Sequence, residues 1–179
     1  MDDYRSNGAF PNNGAIPNNG ANPNNGAYRN NRVQGATFFF TVRLLDRHSA
    51  LLTEHIAAFG EAIRQTRLRK PFHVDAWVVL PDHAHAIWTL PPGDKDTAVR
   101  WNAVKIVFSK ALRKAGLRIG SGTAVWAPNY QQHAVRDQAD YGWLIDYIHA
   151  DPQRHGFCAL PEHWPWSSVH RFSAEKRAL

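Results

Sequence analysis

The sequence predicts an α+β fold built on one antiparallel sheet, and three observations carry that expectation. Short runs rich in aromatic and β-branched residues alternate with longer stretches whose apolar residues recur at helical spacing. Two of the short runs are separated only by a Pro81-Asp82 turn, which forces antiparallel pairing, because a parallel return needs a crossover of about a dozen residues. A further helical stretch follows the last short run.

ATFFFTVRLL, Ala36 to Leu45, reads as the first strand. Leu52, Ile56, Phe59 and Ile63 then share one face of a helix over about residues 50–67. FHVDAWVVL, Phe72 to Leu80, is the second strand, and His83 to Leu90 the third. PPGDKD is a loop. A second helix spans about 98–114, with Trp101, Val104, Phe108, Ala111 and Leu112 on one face and Lys105, Ser109, Lys110 and Arg113 on the other. Gly and Ser break the chain near 116–123, and a short strand is expected at His133 to Arg136. Asp137 or Asp140 caps a third helix over about 138–151, which Pro152 is expected to end. This order is that of a ferredoxin-like split βαβ layer, with helices on one side and an added C-terminal helix. The architecture hosts many unrelated activities and fixes none.

The 179 residues divide into a tail, 1–34, and a domain, 35–179. The tail repeats a six-residue unit as GAFPNN, GAIPNN, GANPNN and a degenerate GAYRNN. Asn, Gly and Pro give it too little apolar surface to offset the entropy of ordering, so it is expected to be disordered. A β-helix of hexapeptides would want an aliphatic residue where the repeats carry Phe10, Ile16, Asn22 and Tyr28. The net charge is +6, and because Asp2, Asp3, Arg5 and Arg29 cancel over residues 1–31, the excess sits on residues 32–179. A basic domain with seven tryptophans suits a nucleic-acid ligand. No apolar run reaches the ~18 residues of a membrane span, and no signal peptide is visible. The single Cys158 cannot form an internal disulfide, which fits a cytoplasmic location.

LPDHAHAIW, Leu80 to Trp88, places His83 and His85 two apart in a strand, so both project to one face. Two adjacent imidazoles can hold one divalent metal, or they can be two hydrogen-bonded structural histidines. A nucleotide hydrolase of the histidine-triad type would need a third histidine where this chain has Ile87. YGWLIDYIHADP, Tyr141 to Pro152, supplies what another site would need. Tyr147 and Asp151 lie four apart and share a helical face. If that face meets the histidine pair, two imidazoles and a carboxylate surround one cation beside a phenol. Alternatively, Tyr147 is a core residue beside Leu144 and Ile148. Asp151 also sits at the negative end of the helix dipole, a position that an opposing cation would relieve.

These residues resemble those of a known family. TFFFTVRLL, PFHVDAWVVLPDHAHAIWTLP, RDQADYGWLIDYIHADPQRHG and WPWSSVHRF, in this order over about residues 35–173, are similar to the REP-associated tyrosine transposases, single-tyrosine members of the HUH endonuclease superfamily. The resemblance implies a single-stranded DNA endonuclease and strand transferase acting at REP palindromic hairpins through a 5′-phosphotyrosine. It assigns the nucleophile to Tyr147 and the metal side to His83, His85 and Asp151, with Mg²⁺ or Mn²⁺ as the ion. The family reads Asn-Pro where this chain has Asp151-Pro152. The departure motivates an alternative, a domesticated hairpin DNA- or RNA-binding protein with weak catalysis. The resemblance also implies a monomer rather than a swapped dimer. No nucleotide-binding glycine loop is present. Candidate DNA-binding cations are Arg64, Arg67, Arg69 and Lys70 at the end of the first helix and Lys105, Lys110 and Arg113 along the second, where Arg100 and Lys114 join the basic set. Trp77, Trp88 and Trp101 are open to two readings, base stacking or core.

Overall fold

The computed structural model describes residues 36–117 and 125–172. The repeat tail and most of the Gly/Ser break lie outside the described residues. Within them the elements are β1 (Thr37–Arg43), α1 (Leu51–Glu54), α2 (Ile56–Arg69), β2 (His73–Val79), β3 (His83–Thr89), α3 (Thr97–Lys114), β4 (Gln131–Ala134) and α4 (Gln138–Arg154), followed by a 3₁₀ turn at Pro161–His163. The four strands form one antiparallel sheet in the order β2-β3-β1-β4, the split βαβ arrangement the sequence predicts.

Strand alternation sorts the core into two layers. Phe38, Phe40 and Val42 of β1, with Ala84, Ala86 and Trp88 of β3, face α2 and α3 and bury Phe59, Trp101, Val104 and Phe108. Phe39, Ala76, Val78 and Ile87 face the other way and meet Leu144, Ile145 and Ile148 of α4. The two crossover helices thus share one side of the sheet, and α4 covers the opposite side. Trp88 and Trp101 stack at 4.1 Å in the first layer and are about as buried as any residue in the chain. The core reading of these two tryptophans therefore holds, and neither is exposed to a base.

Four departures from the sequence reading have local causes. The expected single helix over 50–67 is broken at His55, whose φ of −115° and ψ of 36° leave the helical region although main-chain bonds bridge it. The short strand lies at Gln131–Ala134 rather than at His133 to Arg136. It is mostly exposed, so no burial pattern marks it, and its position follows from pairing with Phe38 to Thr41 of β1. Arg100 is buried rather than solvated: its guanidinium bonds Pro71 and Asp96 carbonyls and pairs with Asp94 at 2.6 Å.

The fourth departure shapes the site. α4 continues through Pro152 to Arg154. Proline forfeits one main-chain donor near the helix end, and the stop comes four residues later at Gly156, with φ of 73°. There Gly156 N–H bonds the Gln153 carbonyl and Phe157 N–H bonds the Pro152 carbonyl, which is the pair of bonds that defines a Schellman cap. At its other end Asp137 caps the helix by accepting from Asp140 N–H at 2.9 Å.

Polar contacts fix α4 against the sheet. Tyr141 donates its hydroxyl to buried Asp75 at 3.3 Å, and Thr89 donates to the same carboxylate at 2.8 Å. Burial pushes the Asp75 carboxyl above its ordinary pKa against these bonds. The Trp-Pro-Trp-Ser-Ser segment, Trp164 to Ser168, runs along the outer edge of β2. Val79 N–H bonds the Trp166 carbonyl and Ser168 N–H bonds the Trp77 carbonyl, each at 2.8 Å. Ser168 Oγ accepts from Trp77 N–H and contacts His149 Nε2 of α4 at 3.0 Å. One motif thereby covers a sheet edge and pins the helix. No helix among the described residues is long and apolar enough to cross a membrane.

Replacing Gly156 with Ala puts a Cβ on a left-handed residue and should cost about 1–2 kcal/mol. Chemical denaturation should show a lower midpoint with an unchanged slope.

Candidate active site

The pairing of β1 with β3 sets Thr41 opposite His85 and Arg43 opposite His83. All four residues face α4, whose Asp151 reaches between the imidazoles. Asp151 Oδ2 lies 3.3 Å from His83 Nε2 and 3.2 Å from His85 Nε2. All three residues are nearly sealed from solvent, at 3%, 3% and 2% exposure. The histidine face and the helix face therefore converge.

Each imidazole is held from behind. His83 Nδ1 is 2.7 Å from Asp82 Oδ1, and His85 Nδ1 is 2.8 Å from Thr41 Oγ1. An ionised carboxylate can only accept, so His83 donates from Nδ1, and in its neutral form Nε2 then carries the lone pair. Thr41 can donate or accept and so suits either tautomer of His85. Asp82 is itself held by Arg47 at 2.7 Å.

Charges follow from this arrangement. Burial opposes charge on His83, but hydrogen bonds to Asp151 and Asp82 outweigh it and hold its pKa above the ordinary value. At His85 burial prevails over Asp151, and the pKa falls. Burial alone would raise the Asp151 pKa; bonds from His83, His85 and Arg154 hold it well below the usual carboxylate range.

Tyr147 sits one turn before Asp151. Its ring meets His85 edge-on at 5.5 Å and Phe39 at 6.0 Å. The Arg154 guanidinium lies 3.8 Å over the same ring, donates to the Tyr147 carbonyl at 3.2 Å and pairs with Asp151 Oδ1 at 2.7 Å. Burial, with the Asp151 charge, pushes the phenol pKa up against Arg154 and Arg43. At neutral pH the phenol is therefore protonated, and its use as a nucleophile needs a cation or base to take the proton's place.

His155 was not singled out from the sequence, and it belongs here. It is one turn beyond Asp151, its Nε2 is 3.7 Å from Asp151 Oδ1, and its ring lies 5.1 Å from that of His83. Ligand atoms of His83, Asp151 and His155 all fall within 4.8 Å of one another. The i, i+4 spacing from Asp151 is a usable signal only where the helix continues past Pro152, at which the sequence predicts its end. Burial holds the His155 pKa below its ordinary value, which favours the neutral form a metal requires. The donor set of imidazole nitrogens and one carboxylate, backed by Asp82 and Thr41, fits a divalent cation.

The basic residues expected to bind DNA do not join this cluster. Arg64, Arg67 and Arg69 of α2 with Lys70 at its C-cap, and Lys105, Lys110 and Arg113 of α3, belong to the other side of the sheet. Arg64 bonds Glu61 at 2.6 Å, and Arg67 bonds the Phe72 carbonyl at 3.1 Å. Lys105 is half-buried against Trp126 and Tyr130, and burial lowers its pKa. Arg69, Lys70, Lys110 and Arg113 are exposed. The cations beside the histidines are instead Arg43, Arg47 and Arg154.

Comparison with known proteins places these features in context. No family model matches the chain. It is 41% identical over 139 residues to the REP-associated tyrosine transposase of Escherichia coli (strain K12), covering 78% of this chain and 79% of that protein. A Haemophilus influenzae (strain ATCC 51907 / DSM 11121 / KW20 / Rd) protein of the same family designation is 33% identical over 144 residues, covering 77% and 82%. Among solved structures, a REP-associated tyrosine transposase bound to a REP hairpin is similar with a TM-score of 0.69 and 40% identity, over 80% of this chain and 82% of that one.

The Asp82 carboxylate sets the His83 tautomer, so Asp82→Asn should weaken Mn²⁺ binding by about 10–100-fold. Isothermal titration calorimetry on the metal alone should show the loss, with the far-UV circular dichroism unchanged.

Proposed function

We propose, from the premise that this chain belongs to the REP-associated tyrosine transposases, that it cleaves and rejoins single-stranded DNA at palindromic hairpins through a covalent bond to Tyr147. The observation that carries the reading is the convergence of His83, His85 and Asp151 beside the Tyr147 ring. The hairpin ligand is supported by the similar protein solved with a REP hairpin.

A divalent cation, Mg²⁺ or Mn²⁺, bound by donors from His83, His85, Asp151 and His155 would act as a Lewis acid on a non-bridging phosphate oxygen and favour the phenolate. The remaining roles belong to the chain. Asp82 and Thr41 orient the two strand imidazoles. Phe39 and Trp143 pack the Tyr147 ring in place, and Arg154 presses on its face. The phenolic oxygen attacks phosphorus, forms a Tyr–O–P bond and expels the 3′-oxygen of the adjoining nucleotide. The products are a 5′-phosphotyrosine and a 3′-hydroxyl. One phosphoester is exchanged for another, so a second 3′-hydroxyl can reverse the step and join strands without a nucleotide cofactor.

The family's Asn position is Asp151 in this chain, and its carboxylate is already engaged by both histidines and by Arg154. That closed network favours a second reading, a hairpin-binding protein with weak catalysis. Cleavage decides between the two.

In Mn²⁺ with a labelled single-stranded hairpin, the unaltered chain should give a protein-linked band on a denaturing gel. Tyr147→Phe should abolish the band while hairpin affinity stays within about twofold, because the packed ring is kept and only one hydroxyl is lost. A band that persists in Tyr147→Phe removes this residue as the nucleophile. Hairpin binding with no band in either Mg²⁺ or Mn²⁺ would establish the binding-only reading.

A further inference from the structure

We propose that Phe157 and Trp164 form a stacking platform for a base of single-stranded DNA beside the phosphate attacked by Tyr147. The proposal rests on the hairpin-DNA reading above and adds a binding subsite to it.

The platform follows from how α4 ends. The left-handed Gly156 turns the chain out of the helix and sends Phe157 to the surface. A residue at this position after such a cap commonly folds back on the last helical turn. Phe157 instead remains 46% exposed, the aromatic member of the few large apolar side chains that are exposed among the described residues. Its ring lies 5.3 Å from Trp164 at 32°, and 6.1 Å from His155 at 25°. His155 in turn meets His83 at 5.1 Å. A continuous run of rings thus leads from the buried histidine cluster to solvent, and it ends at the half-exposed ring of Phe157.

Two features point to a nucleotide as the occupant. The run is rigid at its outer end, because Trp164 donates its indole N–H to the Val79 carbonyl at 2.9 Å and its own carbonyl contacts His170 at 2.9 Å. An aromatic surface held this way loses little freedom on binding. The run is also continuous with the site where a phosphate would be attacked, and half-exposed Arg47 and Arg154 stand beside that site. Cations for the backbone and a ring for a base are the pair of elements that binds single strands without reading sequence. A protein partner would meet the same ring but would make no use of its alignment with the histidine cluster.

The test uses the full chain without metal, so that no cleavage occurs. The probe is a synthetic REP-type DNA hairpin with a single-stranded arm carrying 2-aminopurine at one position at a time. Binding should quench the fluorophore at one arm position. Phe157→Ala should remove the quench and weaken binding of the armed hairpin by about 5–100-fold, the range for losing one stacked base. Phe157→Tyr or Phe157→Trp should restore both signals, whereas Phe157→Leu should not. A hairpin without the arm should bind the unaltered chain and Phe157→Ala alike, and Mn²⁺ affinity should be the same in both. Wild-type behaviour of Phe157→Leu or Phe157→Ala would overturn the platform. So would a change in sedimentation without a change in DNA affinity, since that marks a contact between copies of the chain. Failure of the unaltered chain to bind any hairpin would overturn the hairpin reading and the platform with it, whereas normal hairpin binding without the quench removes the platform alone.

Discussion

The Asp151 carboxylate, wedged between two imidazoles, is the contact on which the functional part of this molecule depends. One oxygen faces His83 and His85 at 3.3 and 3.2 Å, and the other faces Arg154 and His155. It is the point where α4 and the sheet exchange charge rather than apolar surface. A buried ionic group of this kind is costly to desolvate, and removing one partner from such a network destabilises by about 3–5 kcal/mol. The fold accepts the cost because every member has a second partner: Asp82 for His83, Thr41 for His85, and Arg154 for the carboxylate. The same connections orient the nitrogen donors, so the bonds that hold the fold here also aim the groups that could hold a metal ion.

Around that contact the apolar layer does the placing. Phe39, Val78 and Ile87 on the sheet meet Leu144, Ile145 and Ile148 on the helix. This packing fixes the rotation of α4, and rotation decides whether Tyr147 and Asp151 face the histidines. The edge segment Trp164 to Ser168 and the Tyr141–Asp75 bond hold the helix from its side and its start. The segment thereby gains a purpose that its composition does not suggest. It substitutes for a neighbouring strand along β2 and at the same time anchors Trp164 next to the exposed Phe157.

Arg154 links the phenol and the carboxylate most directly. It stacks on the phenol, pairs with the carboxylate and remains partly open to solvent. Its charge offsets that of Asp151 over the Tyr147 ring, which eases the burial of an acidic residue near the end of α4.

By itself the sequence determined whatever depends on local period. Alternation along β1 and β3 put His83 and His85 on one face, and helical spacing put Tyr147 and Asp151 on another. The strand order, the turn at Pro81-Asp82 and the core faces of α2 and α3 were legible for the same reason. Docking decided the rest. That α4 lies across the sheet from the crossover helices, that Arg100 is spent on Pro71 and Asp94, and that the basic residues of α2 and α3 stand apart from the histidines are all long-range facts. His155 and Phe157 escape the local pattern because Pro152 predicts a helix end that Gly156 sets four residues later. A proline in the last turns removes only one hydrogen bond, whereas a left-handed glycine redirects the chain. Local rules can name the residues that share a face, but only the packed structure decides which two faces meet.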